Sequence, residues 1–233
     1  MLPQLTAIKG TVLDLFFPRR CVGCGREGNF ICASCQRNIK RILPPVCPRC
    51  GRPQPGGTLC PSCINRQFDV DGIRAPFRFE GVIREAIHQL KYRNLRDLSG
   101  RLAGLLGEYL RKYPVPGDVL VPVPLHPKRL RERGYNQTLL LAKDLGKIIQ
   151  VTVVEDCLIR TKYTSPQAKT ESVRERYSNV AGIFSCRNYD LRDKNVLLID
   201  DVSTSGATID ACAKSLKASG AAAVWGLVVA REI

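Results

Sequence analysis

Four pairs of cysteines, Cys21/Cys24, Cys32/Cys35, Cys47/Cys50 and Cys60/Cys63, stand early in a chain of 233 residues, every pair spaced C-x2-C. Each pair can set two sulfurs on one tetrahedral ion, and two pairs complete a closed site of four thiolates. Gly25 and Gly51 directly follow a pair, where a knuckle turn favours a residue that tolerates positive φ. Disulfides would require an oxidising compartment. The opening "MLPQLTAIKGTVLDLFFPRRC" has neither the basic n-region nor the cleavage site of a secretory leader. The expectation is therefore a cytoplasmic protein whose eight cysteines hold two structural Zn²⁺ ions. Pairing in sequence gives a double zinc ribbon; a cross-braced pairing uses the same ligands, and spacing alone does not separate them. Four thiolates leave no position for water, so neither site is expected to be catalytic.

The cysteines also divide the chain. Leu5, Ile8, Val12, Leu13, Leu15 and Phe16 predict a helix within 1–20, ended by Pro18. Residues 21–66 are rich in Gly, Pro and Arg and poor in periodic apolar residues, as expected of a module too small for its own core. From 67 to 233 the pattern is α/β. Ile83, Ala86, Ile87 and Leu90 share one face of a helix, as do Leu98, Leu102, Leu105, Leu106 and Tyr109 of a second. "DGIRAPFRFEG" predicts a strand or hairpin. "DVLVPVPL", "VTVVEDCLI", "NVLLID" and "AAAVWGLVVA" predict strands, with "NQTLLLAKDLGKII" and a segment carrying Ile209, Cys212, Ala213 and Leu216 as helices between them. Strands alternating with helices point to a mostly parallel sheet covered on both faces. The apolar run at 220–230 is shorter than the roughly 20 residues a membrane span needs, so no span is expected. Cys157, Cys186 and Cys212 have no C-x2-C partner and are expected to be buried thiols.

One strand ends in unusual chemistry. In "VLLIDDVSTSGATI", Asp200 and Asp201 fall where a buried strand emerges at its carboxyl end, the usual ligand position of an open α/β sheet. Paired carboxylates there can accept hydrogen bonds from the 2′,3′-diol of a ribose, or help hold Mg²⁺ through water. Ser203, Thr204, Ser205, Gly206, Ala207 and Thr208 then open a helix whose first N–H groups and hydroxyls form an anion site, with Gly206 admitting close backbone approach. A capped helix explains one of these hydroxyls but not two acids and four hydroxyls together. A P-loop is excluded, because no G-x-x-x-x-G-K-[ST] occurs. The turn reads as a cradle for ribose 5-phosphate.

"VLLIDDVSTSGAT" resembles the phosphoribosyl pyrophosphate (PRPP) signature of type I phosphoribosyltransferases. With four C-x2-C pairs ahead of it and "PVPLHPKRLRERGYNQ" between, nearly the whole chain resembles the competence protein F (ComF) family. The resemblance implies the type I phosphoribosyltransferase fold, a mostly parallel sheet flanked by helices, behind a small N-terminal zinc-ribbon module. It makes Asp200 and Asp201 the catalytic pair on the ribose and gives the 5-phosphate to 204–208. Lys128, Arg129, Arg131 and Arg133 would form the pyrophosphate loop, with Mg²⁺ accompanying PRPP and Lys91, Tyr92 and Arg93 bordering the same pocket. Lys162, Gln167 and Arg174 would belong to a lid within 160–182. It also implies single-stranded DNA and other DNA-uptake proteins as partners, in natural transformation. The alternative is a phosphoribosyltransferase of nucleotide salvage, for which the sequence supplies a donor site but no recognisable acceptor site. A formal charge of +15 suits polyanions. Arg19, Arg20, Arg26, Arg37, Lys40, Arg41, Arg49 and Arg52 around the knuckles read either as nucleic-acid contacts or as solubilising charge.

Overall fold

A computed structural model describes residues 18–162, 173–187 and 189–233. The helix expected within 1–20 falls almost wholly outside them. Two short helices, α1 (Ala33–Arg37) and α2 (Pro61–Ile64), sit in the cysteine-rich segment. There follow β1 (Gly72–Arg74), β2 (Phe77–Arg78), α3 (Gly81–Tyr92), α4 (Leu98–Lys112), β3 (Val119–Pro122), α5 (Pro127–Arg133), α6 (Gln137–Ile149), β4 (Thr152–Val153) and β5 (Leu158–Arg160). The chain continues through α7 (Val173–Ser178), β6 (Phe184–Cys186), β7 (Asn195–Ser203), α8 (Ala207–Ala218) and β8 (Ala223–Arg231).

The sheet runs β1-β8-β7-β3-β4, with every pairing parallel. β7 lies at its centre because its run of Val196, Leu197, Leu198 and Ile199 is apolar on both faces. Successive side chains part accordingly: Leu197 and Ile199 pack with Leu120, Leu227 and Val229 beneath α3, α4 and α6. Val196 and Leu198 pack with Val119, Val121, Val224 and Val228 beneath α8. The helices bury the stripes their spacing predicts: Ile83, Ala86, Ile87 and Leu90 in α3, and Ile209, Cys212, Ala213 and Leu216 in α8. α6 starts at Asn136, whose side chain accepts from the Thr138 N–H at 3.1 Å. Among the described residues no helix is long and apolar enough to cross a membrane.

Five local expectations change. The segment at 71–79 is not a hairpin: β1 and β2 both run parallel to β8, at Gly72↔Trp225 and Phe77↔Ala230. "VTVVEDCLI" divides between β4 in the main sheet and β5, which pairs antiparallel with β6. The basic run after β3 is a helix of seven residues rather than a loop. Of the loop expected at 160–182, Arg160 closes β5 and 173–178 is helical. Cys157 and Cys212 are buried as expected, whereas Cys186 is half-buried.

The cysteine-rich segment is seated on the sheet edge. Ile73 donates its N–H to the Arg49 carbonyl at 2.8 Å, so the second knuckle pairs with β1. A Cβ on Gly51 would come within 2.3 Å of the Ile73 carbonyl oxygen. Gly51 also lies at φ +72, so glycine is obligatory there on two counts.

Candidate functional site

Each C-x2-C pair turns through a knuckle in which Gly25 or Gly51 donates its N–H to the carbonyl of Cys21 or Cys47, at 2.8 and 2.9 Å. The sulfurs gather as Cys21, Cys24, Cys32, Cys35 and as Cys47, Cys50, Cys60, Cys63, all within 4.8 Å of one another in each group. Pairing is therefore sequential. The Cys24 and Cys32 sulfurs are 3.7 Å apart, as are those of Cys50 and Cys60. A tetrahedron with Zn–S bonds of about 2.3 Å has edges of about 3.8 Å, so both groups fit Zn²⁺. The clusters differ in depth: Cys24 of the first is exposed, whereas all four cysteines of the second are buried.

The carboxylates at the end of β7 have unlike surroundings. Asp201 is buried; its Oδ1 meets Lys91 Nζ at 2.6 Å, and its Oδ2 accepts from Gln137 Nε2 at 2.8 Å. Asp200 is half-buried and accepts the Asp201 N–H at 2.8 Å. Burial, then the Asp201 charge, push its carboxyl up to about 7, against the opposing pull of Lys91. Ser203 is buried, its Oγ accepting from Arg231 Nη1 at 3.1 Å. Gly206, at φ +85, turns the chain into α8, and Ser205 Oγ accepts the Ala207 N–H at 3.3 Å. Thr204, Ser205 and Thr208 remain partly open to solvent. Tyr177 of α7 closes one side, donating to the Ser205 carbonyl at 3.4 Å.

A second group of cations gathers about α5. Lys128 and Arg131 of α5 are exposed, while Arg129 and Arg133 are half-buried. His126 caps this helix, its Nδ1 accepting the Lys128 N–H at 3.2 Å. Burial, then Arg160, Arg131, Arg129 and Lys128, hold that imidazole below its ordinary pKa. A cavity of about 540 Å³ lies among Lys91, Tyr92, Asn94, Arg129, Glu132, Arg133 and Tyr135. The Arg133 guanidinium is 5.5 Å from the Tyr92 ring centre and donates to Gln137 Oε1. Arg133, Gln137, Asp201 and Lys91 thus form one continuous polar chain. The expected grouping of Lys91 and Tyr92 with the α5 arginines is present, through Gln137. That residue carried no sequence signal beyond following the Asn136 cap.

Other expected residues lie elsewhere. Lys162 is exposed just beyond β5, Arg174 belongs to α7, and Gln167 lies outside the described residues. Around the knuckles, Arg19, Arg20, Arg26, Arg37, Lys40 and Arg41 are exposed, with Arg20 paired to Glu27 at 3.0 Å. Arg49 instead turns inward, donating to the carbonyls of Val70 and Asp71. Arg52 Nε is buried. These two belong to the packing of the ribbon on the sheet. Arg231, also unforeseen, was legible only as a charge closing the apolar run "GLVVAR".

Residues 12–64 match the double zinc ribbon domain family. The chain is 29% identical over 200 residues to Competence protein ComFC of Bacillus subtilis, covering 83% of this chain and 80% of that protein. It is 29% identical over 229 residues to Competence protein F of Haemophilus influenzae, covering 91% and 97%. To DNA utilization protein YhgH of Escherichia coli it is 30% identical over 200 residues, covering 83% and 87%. Among solved structures, the glutamine PRPP amidotransferase of B. subtilis overlaps at a TM-score of 0.39 and 18% identity, over 56% of this chain and 26% of that one. A purine phosphoribosyltransferase from Pyrococcus horikoshii overlaps at 0.37 and 20%, over 57% and 82%.

Proposed function

Because the chain belongs to the competence protein F (ComF) family, we propose that it binds PRPP, or a nucleotide phosphate of like shape, and helps handle single-stranded DNA during natural transformation. In this reading residues 21–66 are the ribbon module, residues 67–233 the phosphoribosyltransferase-like domain, and the cytoplasm the site of action. The observation that carries it is the end of β7. Two acids stand there beside a glycine-opened helix, and Lys91 and Gln137 join Asp201 to a neighbouring cavity lined by cations. Relatives named for competence and for DNA utilization support the biological setting.

Asp200, the more open acid, accepts hydrogen bonds from the ribose diol. Asp201, already joined to Lys91 and Gln137, fixes the strand end and holds Lys91 toward the cavity. The N–H groups that begin α8, with the hydroxyls of Thr204, Ser205 and Thr208, receive the 5-phosphate. Ser203 shapes that turn from beneath. Lys128, Arg129, Arg131 and Arg133 supply positive charge for pyrophosphate and for DNA phosphates. Mg²⁺ bound with PRPP would spread the charge of the pyrophosphate.

Calorimetric titration with PRPP-Mg²⁺ tests the donor site: binding is expected in the parent chain and should be lost in Asp200→Asn. For DNA, single-strand affinity should fall with salt, and neutralising Lys128, Arg129 and Arg131 together should make that slope shallower by about 0.7 for each DNA phosphate these side chains had neutralised. An unchanged slope would remove α5 from the DNA path. Turnover is a second reading, favoured by one carboxyl poised at about 7. Pyrophosphate release from PRPP across a panel of nucleobases decides it.

A further inference from the structure

α3 ends on a tyrosine that is 66% exposed. A single ring left in water is ordinary; the setting of this one is not. Tyr92 lines the cavity of about 540 Å³ together with Lys91, Arg129, Glu132 and Arg133, and the Arg133 guanidinium stands 5.5 Å from its ring centre. The ring of His88, exposed one turn earlier in α3, lies 4.9 Å away, centre to centre. Lys91 is paired with Asp201, whereas among the described residues neither Arg129 nor Arg133 forms an ion pair. Arg93 adds exposed charge directly beside the ring.

A site for single-stranded nucleic acid needs an aromatic face on which a base can stack and positive charge along the path of the backbone. Both meet in this cavity. A comparison within the molecule sharpens the point. Tyr189 is also exposed, at 44%, and lines a cavity of about 500 Å³, but its charged neighbours there are Glu155 and Asp156 against Arg187. Acids in that cavity repel phosphate. Around Tyr92 the balance is reversed, with three cations against the single acid Glu132. Charge alone would serve a sugar-phosphate backbone, and a ribose-phosphate cradle requires no ring; an exposed aromatic face among arginines is matched by a base.

We propose that this cavity is a base-binding site, in which Tyr92 stacks on one nucleobase of single-stranded DNA while Arg129 and Arg133 neutralise the phosphates that flank it. The site rests on the single-strand reading given above and adds to it a contact that salt does not govern. Every base has a π face, so the site is tolerant of sequence.

The test compares oligothymidylate with an abasic strand of equal length, on the zinc-loaded full chain. The parent should bind oligothymidylate more tightly than the abasic strand. Tyr92→Ala should bind oligothymidylate about 5- to 150-fold more weakly, the range for one stacked base, with its salt slope unchanged because no phosphate contact is removed. Its affinity for the abasic strand should equal the parent's. Tyr92→Phe should keep the parent's affinity, and Tyr189→Ala should leave it untouched. In Tyr92→Trp, oligothymidylate should quench the new indole fluorescence and the abasic strand should not, with the parent's single tryptophan, Trp225, as the background. Equal affinity of the parent for the two strands, no loss in Tyr92→Ala, or an equal loss toward both strands would overturn the base site and leave the single-strand reading standing. A parent that binds neither strand, yet binds thymidine monophosphate with the same dependence on Tyr92, would overturn the single-strand reading and leave the nucleobase pocket standing. Binding of none of the three would overturn both.

Discussion

Adjacent aspartates on one strand end do different work. The Asp200 carboxyl keeps its proton to about 7 in the native state, against 3.8 for an ordinary aspartate. Between those values the folded chain binds more protons than the unfolded one, so this residue lowers stability as pH rises. Asp200→Asn should therefore be more stable than its parent at pH 8, and the gain should shrink to nothing near pH 4 in urea melts. In the same variant, ribose 5-phosphate affinity should lack the increase that the parent shows as pH rises through about 7. Asp201→Ala is a different experiment. It strands Lys91, which is 21% exposed, so the loss should be about 2–3 kcal/mol, less than the about 3–5 of a fully buried pair. Adding Lys91→Met should restore most of it, again by urea melts. A loss of ligand binding in Asp201→Ala alone would thus mix instability with recognition, which makes Asp200 the cleaner probe of the diol.

Elements were legible where burial is two-sided and periodic. The stripes of α3, α4 and α8 follow from spacing, because each faces one core layer, and the wholly apolar β7 follows from its burial between two. The sequence also marked the turn after β7, since acids and hydroxyls have no business at the end of an apolar strand unless something polar arrives there. What it missed was contact between distant segments. β1 and β2 look like a hairpin locally but run one after the other along one edge of β8, whose other edge β7 occupies; Gln137 and Arg231 matter because the topology brings them beneath Asp201 and Ser203. The helical form of α5 was hidden by its charge, as no apolar stripe reveals a short helix lying on the surface. Gly206 tests the turn as an element. At φ +85, with Ile73 Cδ1 only 2.9 Å from where a Cβ would sit, Gly206→Ala should cost about 1–3 kcal/mol in a thermal or urea melt. It should also weaken ribose 5-phosphate binding at least about tenfold, since the turn must shift to admit the methyl group. Full affinity in this variant would move the phosphate elsewhere.

At the scale of the molecule, the ribbon and the sheet share backbone hydrogen bonds, so metal and fold should fail together. Zinc transfer to a coloured chelator is expected in two phases, the fast one from the cluster with exposed Cys24 and the slow one from the buried cluster. Each phase should coincide with a fall in melting temperature of the entire chain, since Ile31 and Ile39 of the first ribbon are buried in the main core; a single phase, or an unchanged melting temperature after both ions leave, would contradict this picture. The placement of the second knuckle against Ile73, with β1 in turn resting on β8, also orders events during synthesis. The cysteines precede β8 along the chain, so they can take up metal before the strand that supports their seat has been made. Until then a charged, metal-laden module must wait on its tether, and its seat is completed by segments far apart in the chain.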